Sequence, residues 1–166
     1  GLGGMDFALA QLEKQPEPLQ ILVVAGRNQA LLKKVQRFAA ASHHQVRAWG
    51  YTDQVRTLMS AASFLISKPG ALTITEALTV GLPVLLHEPI PGPETDNAVY
   101  MSECGTALWI RSDDRLAGAI AEVLHQPEKL AEMRQQAAGC RHPQAAAVIV
   151  AELVRRAEAK DRALIQ

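Results

Sequence analysis

The stretch Ser67-Lys-Pro-Gly-Ala-Leu-Thr-Ile-Thr-Glu76 decides how the rest of the chain is read. Ahead of it runs the apolar Phe64-Leu-Ile66, and behind it a helical pattern continues to Val80. Strand, tight turn and helix follow one another. Gly70 lets backbone approach a ligand closely. The helix start leaves N–H groups unpaired and carries partial positive charge, an arrangement suited to a phosphate. Glu76 lies about one turn into the helix, within reach of a hydroxyl beside that phosphate. These residues predict a site for a nucleotide diphosphate. The same letters admit a second reading: Thr73-x-x-Glu76 is also a capping box, in which Glu76 merely closes the helix start.

Outward from this stretch, strands and helices alternate. Upstream, a short helix over 5–14 ends at Pro16 and Pro18. The continuous apolar run 19–25 predicts a strand buried on both faces. Gly26-Arg-Asn28 is its turn, and a helix over 29–41 carries Leu31, Leu32, Val35 and Phe38 on one face. A strand over 46–49 leads into the turn Gly50-Tyr-Thr-Asp53, with Thr52 or Asp53 expected to cap a helix over 54–62. Downstream, Gly81-Leu-Pro83 stops the central helix before a strand over 84–86. The proline-rich loop 87–93 opens a helix over 94–103, and a last strand spans 106–110. Helices over 116–125 and 128–138 follow, then a long amphipathic one from His142-Pro143, expected to pack on its own domain rather than a membrane. Trp49 and Trp109, each at a strand's end, are assigned to the core.

This alternation predicts an α/β, doubly wound, Rossmann-like parallel sheet. Ligands of such sheets lie beyond the carboxyl ends of the strands. Gly1-Leu-Gly-Gly4 is a glycine loop of the kind that follows a strand, so the sheet is expected to lack its first strand. That strand is usually central, and without it the strands on either side lose a partner.

The 166 residues suffice for one ordinary domain with a sizeable core. Seventeen basic residues balance seventeen acidic ones, which argues against a nucleic-acid partner. No apolar run is long enough to span a bilayer. Cys104 and Cys140 have neither metal-ligand spacing nor a disulfide framework, which points to a cytoplasmic setting with idle thiols.

Gly50-Tyr-Thr, Ser67-Lys-Pro-Gly-Ala-Leu-Thr-x-x-Glu76-Ala, Gly81-Leu-Pro, Pro89-Ile-Pro-Gly92-x-Glu94-x-x-Asn97 and Gly105 occur in an order that resembles the donor-binding half of family 28 glycosyltransferases. The likeness is nearest to the monogalactosyldiacylglycerol synthase and processive diacylglycerol glucosyltransferase branch, related to the lipid-linked N-acetylglucosaminyltransferase of peptidoglycan synthesis. It implies the C-terminal half of a GT-B enzyme, with residues 1–166 forming the nucleotide-sugar domain and an acceptor-binding N-terminal domain absent. It also implies an inverting hexosyltransferase that uses a UDP-hexose and a lipid acceptor of the diacylglycerol type. The catalytic base would lie in the other domain. Neither cofactor nor metal is expected, since there is no Asp-x-Asp pair. The intact protein would be cytoplasmic and peripheral at the inner face of the membrane. Two other readings stand beside this one: a UDP-sugar epimerase half-domain and a non-catalytic nucleotide-sugar module.

The resemblance assigns roles residue by residue. Gly3 and Gly4 would flank the diphosphate or sugar, and Tyr51 and Thr52 would hold uracil by main-chain groups. Gly70, Ala71, Leu72 and Thr73 would present N–H groups to phosphate. Glu76 would bind the ribose hydroxyls, and Glu94 and Asn97 would meet the sugar ring. Arg27 is a further candidate beside the diphosphate, against its ordinary reading as a surface arginine on a turn. His87 stands at the cleft edge. Pro93 departs from the glutamine usual in that branch, so the hexose stays open.

Overall fold

The computed structural model describes residues 4–112 and 115–164, with side chains through 157. Its elements run α1 (Met5–Leu12), β1 (Gln20–Val24), α2 (Gln29–Ala41), β2 (Gln45–Trp49), α3 (Val55–Ala61), β3 (Leu65–Ser67), α4 (Ala71–Val80), β4 (Val84–Leu86), α5 (Pro93–Glu103), β5 (Ala107–Trp109), α6 (Leu116–His125), α7 (Pro127–Cys140) and α8 (Ala145–Leu164).

Local chemistry explains the sharpest boundaries. Asn28 Oδ1 accepts the Leu31 N–H at 3.0 Å, so α2 begins at Gln29. Gly81 ends α4 in the left-handed region at φ 69°. Its N–H donates to the Leu78 carbonyl at 3.1 Å, and Leu82 donates to Ala77 at 2.9 Å, closing a Schellman motif. Pro93 occupies the first helical position of α5. Thr52 does not cap α3: its Oγ1 accepts the Gln54 N–H at 3.1 Å, ahead of a helix that begins at Val55. This local bond competes with a cap. Pro143 likewise falls in the turn before α8 rather than inside it.

All strand pairs are parallel, but among the described residues they form two sheets, β1-β2 and β3-β4-β5. No described strand joins the β1-β2 pair to the β3-β4-β5 set. One apolar cluster nevertheless spans both sheets. Ile21, Val23, Leu31, Val35, Leu85, Leu116 and Ile120 belong to it, with Phe64, Ile66 and Leu108 against it. A second cluster covers the other face, joining Val84 and Leu86 to Ile74, Leu78, Met101 and Met133. Thus β4 sends Leu85 one way and its neighbours the other, and all three are fully buried. Helices on both faces bear out the doubly wound arrangement.

Three core expectations are corrected. In β1, Leu22 and Val24 are only half-buried, so burial alternates and one face is incompletely covered. Trp49 is half-buried too and joins neither cluster, whereas Trp109, with the Arg111 guanidinium 3.9 Å over its ring, packs against the second cluster as expected. Most of all, the described side chains of α8 do not pack on the domain. Val148, Ile149, Val150, Leu153 and Val154 are 51–64% exposed, because the helix leaves the turn at residues 141–144 without meeting either apolar cluster.

Candidate functional site

In parallel sheets the turns that follow the strands open on one edge. After β3, the turn Lys68-Pro-Gly70 delivers the chain to α4. Gly70 is the N-cap and supplies no side-chain cap. Its own N–H donates to the Lys68 carbonyl at 2.9 Å, and the first intrahelical bond is Ile74 to Gly70 at 3.0 Å. The N–H groups of Ala71, Leu72 and Thr73 therefore have no partner among the described residues. Of the four amides expected to face phosphate, Gly70's is spent on the turn. The other three are the open end of a ten-residue helix.

With Gly70 as N-cap, Thr73 stands inside the first turn and Glu76 in the second. The capping-box reading fails on this geometry, since Thr73 is not the cap residue. Glu76 is exposed, and its carboxylate has no partner among the described residues. Leu72 beside it is 82% exposed.

The turn after β4 reaches across to the start of α1. Gly4, the N-cap of α1, has φ 74°. A methyl group there would overlap Glu88 Oε2 and stand 3.0 Å from His87 Cε1. Gly4 and the turn after β4 are thus in close approach. His87 is buried against Gly4 and faces the Phe7 ring at 6.4 Å. A cleft opens between the amino ends of α1 and α2, lined by Gly4, Met5, Asn28, Leu31 and Lys34. Gly3 lies outside the described residues.

The turns after β1 and β2 also meet. The Arg27 guanidinium sits 5.2 Å from the Tyr51 ring centroid, a cation–π distance. Tyr51 is 72% exposed. Among the described residues, no hydrogen bond uses the main-chain groups of Tyr51 or Thr52. Arg27 is thereby placed with the uracil candidates.

Glu94 and Asn97, on the first turns of α5, lie beside the α4 start. Asn97 Nδ2 donates to the Pro69 carbonyl at 2.9 Å. Glu94 Oε1 is 2.6 Å from Lys68 Nζ, and Oε2 accepts the Ile90 N–H at 2.8 Å. The lysine beside it, with that amide, holds the Glu94 carboxyl below the usual carboxylate range. Lys68 went unremarked in the sequence, because a lone lysine before Pro-Gly carries no signal of its own.

One further group of potential metal ligands is Glu13, His43 and His44. It lies away from the turns that follow the strands, and both rings are already engaged. His44 Nδ1 accepts the Leu19 N–H at 3.3 Å while Nε2 faces the Leu12 carbonyl at 2.9 Å. His43 faces Glu13 and the Gln15 carbonyl. This cluster ties loops together, and the ring nitrogens of both histidines are already engaged. The two cysteines are free and half-buried. The Cys104 thiol beside Cys140 pushes the latter up to about 11, which keeps it a thiol.

The profile of the glycosyltransferase family 28 C-terminal domain matches residues 6–149. The chain belongs to that family. The processive diacylglycerol beta-glucosyltransferase of Bacillus licheniformis is 29% identical over 142 residues, which is 86% of this chain and 37% of that protein. Its counterpart in Bacillus cytotoxicus is 32% identical over 149 residues, 90% of this chain and 38% of that protein. The family 28 chain therefore spans well under half the length of these curated relatives. Among solved structures, MurG of Acinetobacter baumannii superposes with a TM-score of 0.77 at 22% identity, covering 94% of this chain and 48% of that one. WaaG, a glycosyltransferase involved in lipopolysaccharide biosynthesis, gives 0.64 at 21% identity, over 81% and 38%. At these identities the likeness establishes the fold, that of the C-terminal half of a GT-B glycosyltransferase. No described helix is long and apolar enough to cross a membrane.

Proposed function

We propose that this chain is the nucleotide-sugar domain of an inverting hexosyltransferase, whose other domain binds a diacylglycerol-type lipid. The observation that carries the reading is the start of α4: three N–H groups and a carboxylate without partners among the described residues, within the stretch that the family profile matches. The curated relatives, named as diacylglycerol glucosyltransferases, support the lipid acceptor.

In this reading the uracil edge bonds to main-chain groups of Tyr51 and Thr52, under Arg27. Gly3, Gly4 and the amides of Ala71 to Thr73 surround the diphosphate. Glu76 accepts hydrogen bonds from the ribose hydroxyls, strengthened by its charge. Glu94 and Asn97 form the wall toward the sugar. As the acceptor oxygen bonds to the anomeric carbon, the bond from that carbon to the diphosphate breaks and its electron pair leaves with UDP. The acceptor's proton goes to a base of the other domain. Fixed amide dipoles at α4 stabilise the developing charge. The reading calls for no metal or cofactor, and places the intact protein in the cytoplasm at the membrane face.

Calorimetry tests it. UDP should bind the chain more tightly than ADP or uridine, while UDP-hexose with Mn²⁺ should show no turnover with this chain alone. Equal binding of UDP and ADP, or none of either, overturns the assignment.

A further inference from the structure

Lys68 and Glu94 come from different turns and meet at the amino end of α4. A methyl group on Gly70 would lie 3.7 Å from Glu94 Oε1, so the ion pair rests against the N-cap. The Glu94 side chain is 15% exposed and the Lys68 side chain 35%. The carboxylate is thus covered while the ammonium keeps access to solvent. Each Glu94 oxygen already accepts one hydrogen bond, from Lys68 and from the Ile90 amide. With little surface open, it is poorly disposed toward a sugar hydroxyl. An ammonium has three donors. Glu94 takes one, and the other two have no partner among the described residues. One turn on, Asn97 holds the Pro69 carbonyl. Residues 68 and 69 are therefore gripped by α5 at two points, which limits where the lysine can swing.

We propose that Glu94 acts on the donor through Lys68: it is a positioning residue that holds the ammonium at the α4 start, where that ammonium binds the diphosphate. This rests on the reading of the chain as a nucleotide-sugar domain and revises it at Glu94. A tethered lysine adds a full charge to the partial charge of three amides. The tether also removes part of the entropy a free lysine would lose on binding.

The test titrates uridine, UMP and UDP into the wild-type chain and into Lys68→Met, Lys68→Arg and Glu94→Gln, with thermal midpoints as a check of folding. Lys68→Met should weaken UDP by roughly tenfold or more and leave uridine within about twofold. Lys68→Arg should restore most of the loss, because it restores the charge. Glu94→Gln keeps the side chain's shape and an acceptor for Ile90 but frees the lysine, so UDP should weaken by an intermediate factor. Raising salt from about 0.1 M to about 1 M shortens the Debye length from about 10 to about 3 Å. It should shrink the difference between wild type and Lys68→Met. If Lys68→Met weakens uridine as much as UDP, the pair is structural and the proposal is wrong. If UDP binds wild type and Lys68→Met alike, the proposal is also wrong, and the nucleotide-sugar reading survives. If wild type binds no UDP, that reading fails and takes this one with it.

Discussion

His43 Nδ1 lies 2.9 Å from Glu13 Oε1 while its Nε2 lies 3.1 Å from the Gln15 carbonyl. Both ring nitrogens face acceptors, so the imidazolium is the form that satisfies both. Its neighbour His44 faces one donor and one acceptor instead. The Glu13 hydrogen bond is accordingly the first cause raising the pKa of His43. The Glu13 carboxyl is lowered, chiefly by the Ser42 hydroxyl and then by His43.

A folded-state pKa above the unfolded value of about 6.5 gives a contribution that is complete below that pH. It fades as pH rises through the folded pKa. Glu13, lowered, contributes above about 4.3 and loses that contribution as pH falls through its folded pKa. The pair therefore helps most between these two pH values. Denaturant midpoints should fall between pH 6 and pH 9 in wild type, and fall less in His43→Asn. Equal falls would mean that the ring is not charged in the folded state. Solvent screening at this half-exposed pair keeps the effect small.

Glu76 separates binding from folding. Exposed and without a partner among the described residues, its carboxylate should be dispensable for stability, with Glu76→Ala within about 0.5 kcal/mol of wild type. UDP affinity should drop by about 1–3 kcal/mol, the cost of leaving ribose hydroxyls without their acceptor. Thermal melts and calorimetry on the same sample check both halves.

Gly4 should resist substitution for two separable reasons. Its φ of 74° costs an L-residue about 1–2 kcal/mol, and the new methyl overlaps Glu88 and crowds buried His87. Gly4→Ala should destabilise by more than the backbone term alone. Adding Glu88→Ala should recover only the overlap with the glutamate. A double-mutant cycle read by chemical denaturation gives the two parts.

The exposure of α8 predicts a contrast between two large apolar side chains. Ile120, fully buried in the cluster that spans both sheets, should cost about 2–5 kcal/mol on truncation to alanine. Leu153, 62% exposed, should cost about 0.5 kcal/mol or less. A cost at Leu153 comparable to that at Ile120 would show that the helix packs in solution.

Much of the architecture was legible before any coordinates. The bounds of α2, α4 and α6 agree with those expected from the sequence, because an apolar face and a stop such as Gly81 act within a few turns of chain. The apolar run of β4 implied cover on both faces, and it has that cover. The motif residues place the candidate phosphate site at the α4 start, within the residues that the family profile matches.

The sequence by itself determined the order of elements, their parallel arrangement and the family, since each depends on periodicity and on neighbours close along the chain. Only the tertiary structure decided that Thr73 and Glu76 form no capping box, because a capping box and an open carboxylate share the same letters until the first helical residue is located. It alone revealed that Glu94 grips Lys68 across 26 positions, that the described strands divide into two sheets, and that the described side chains of α8 join neither apolar cluster. Contacts of that kind depend on where the chain returns in space, and local patterns of polarity carry no record of it.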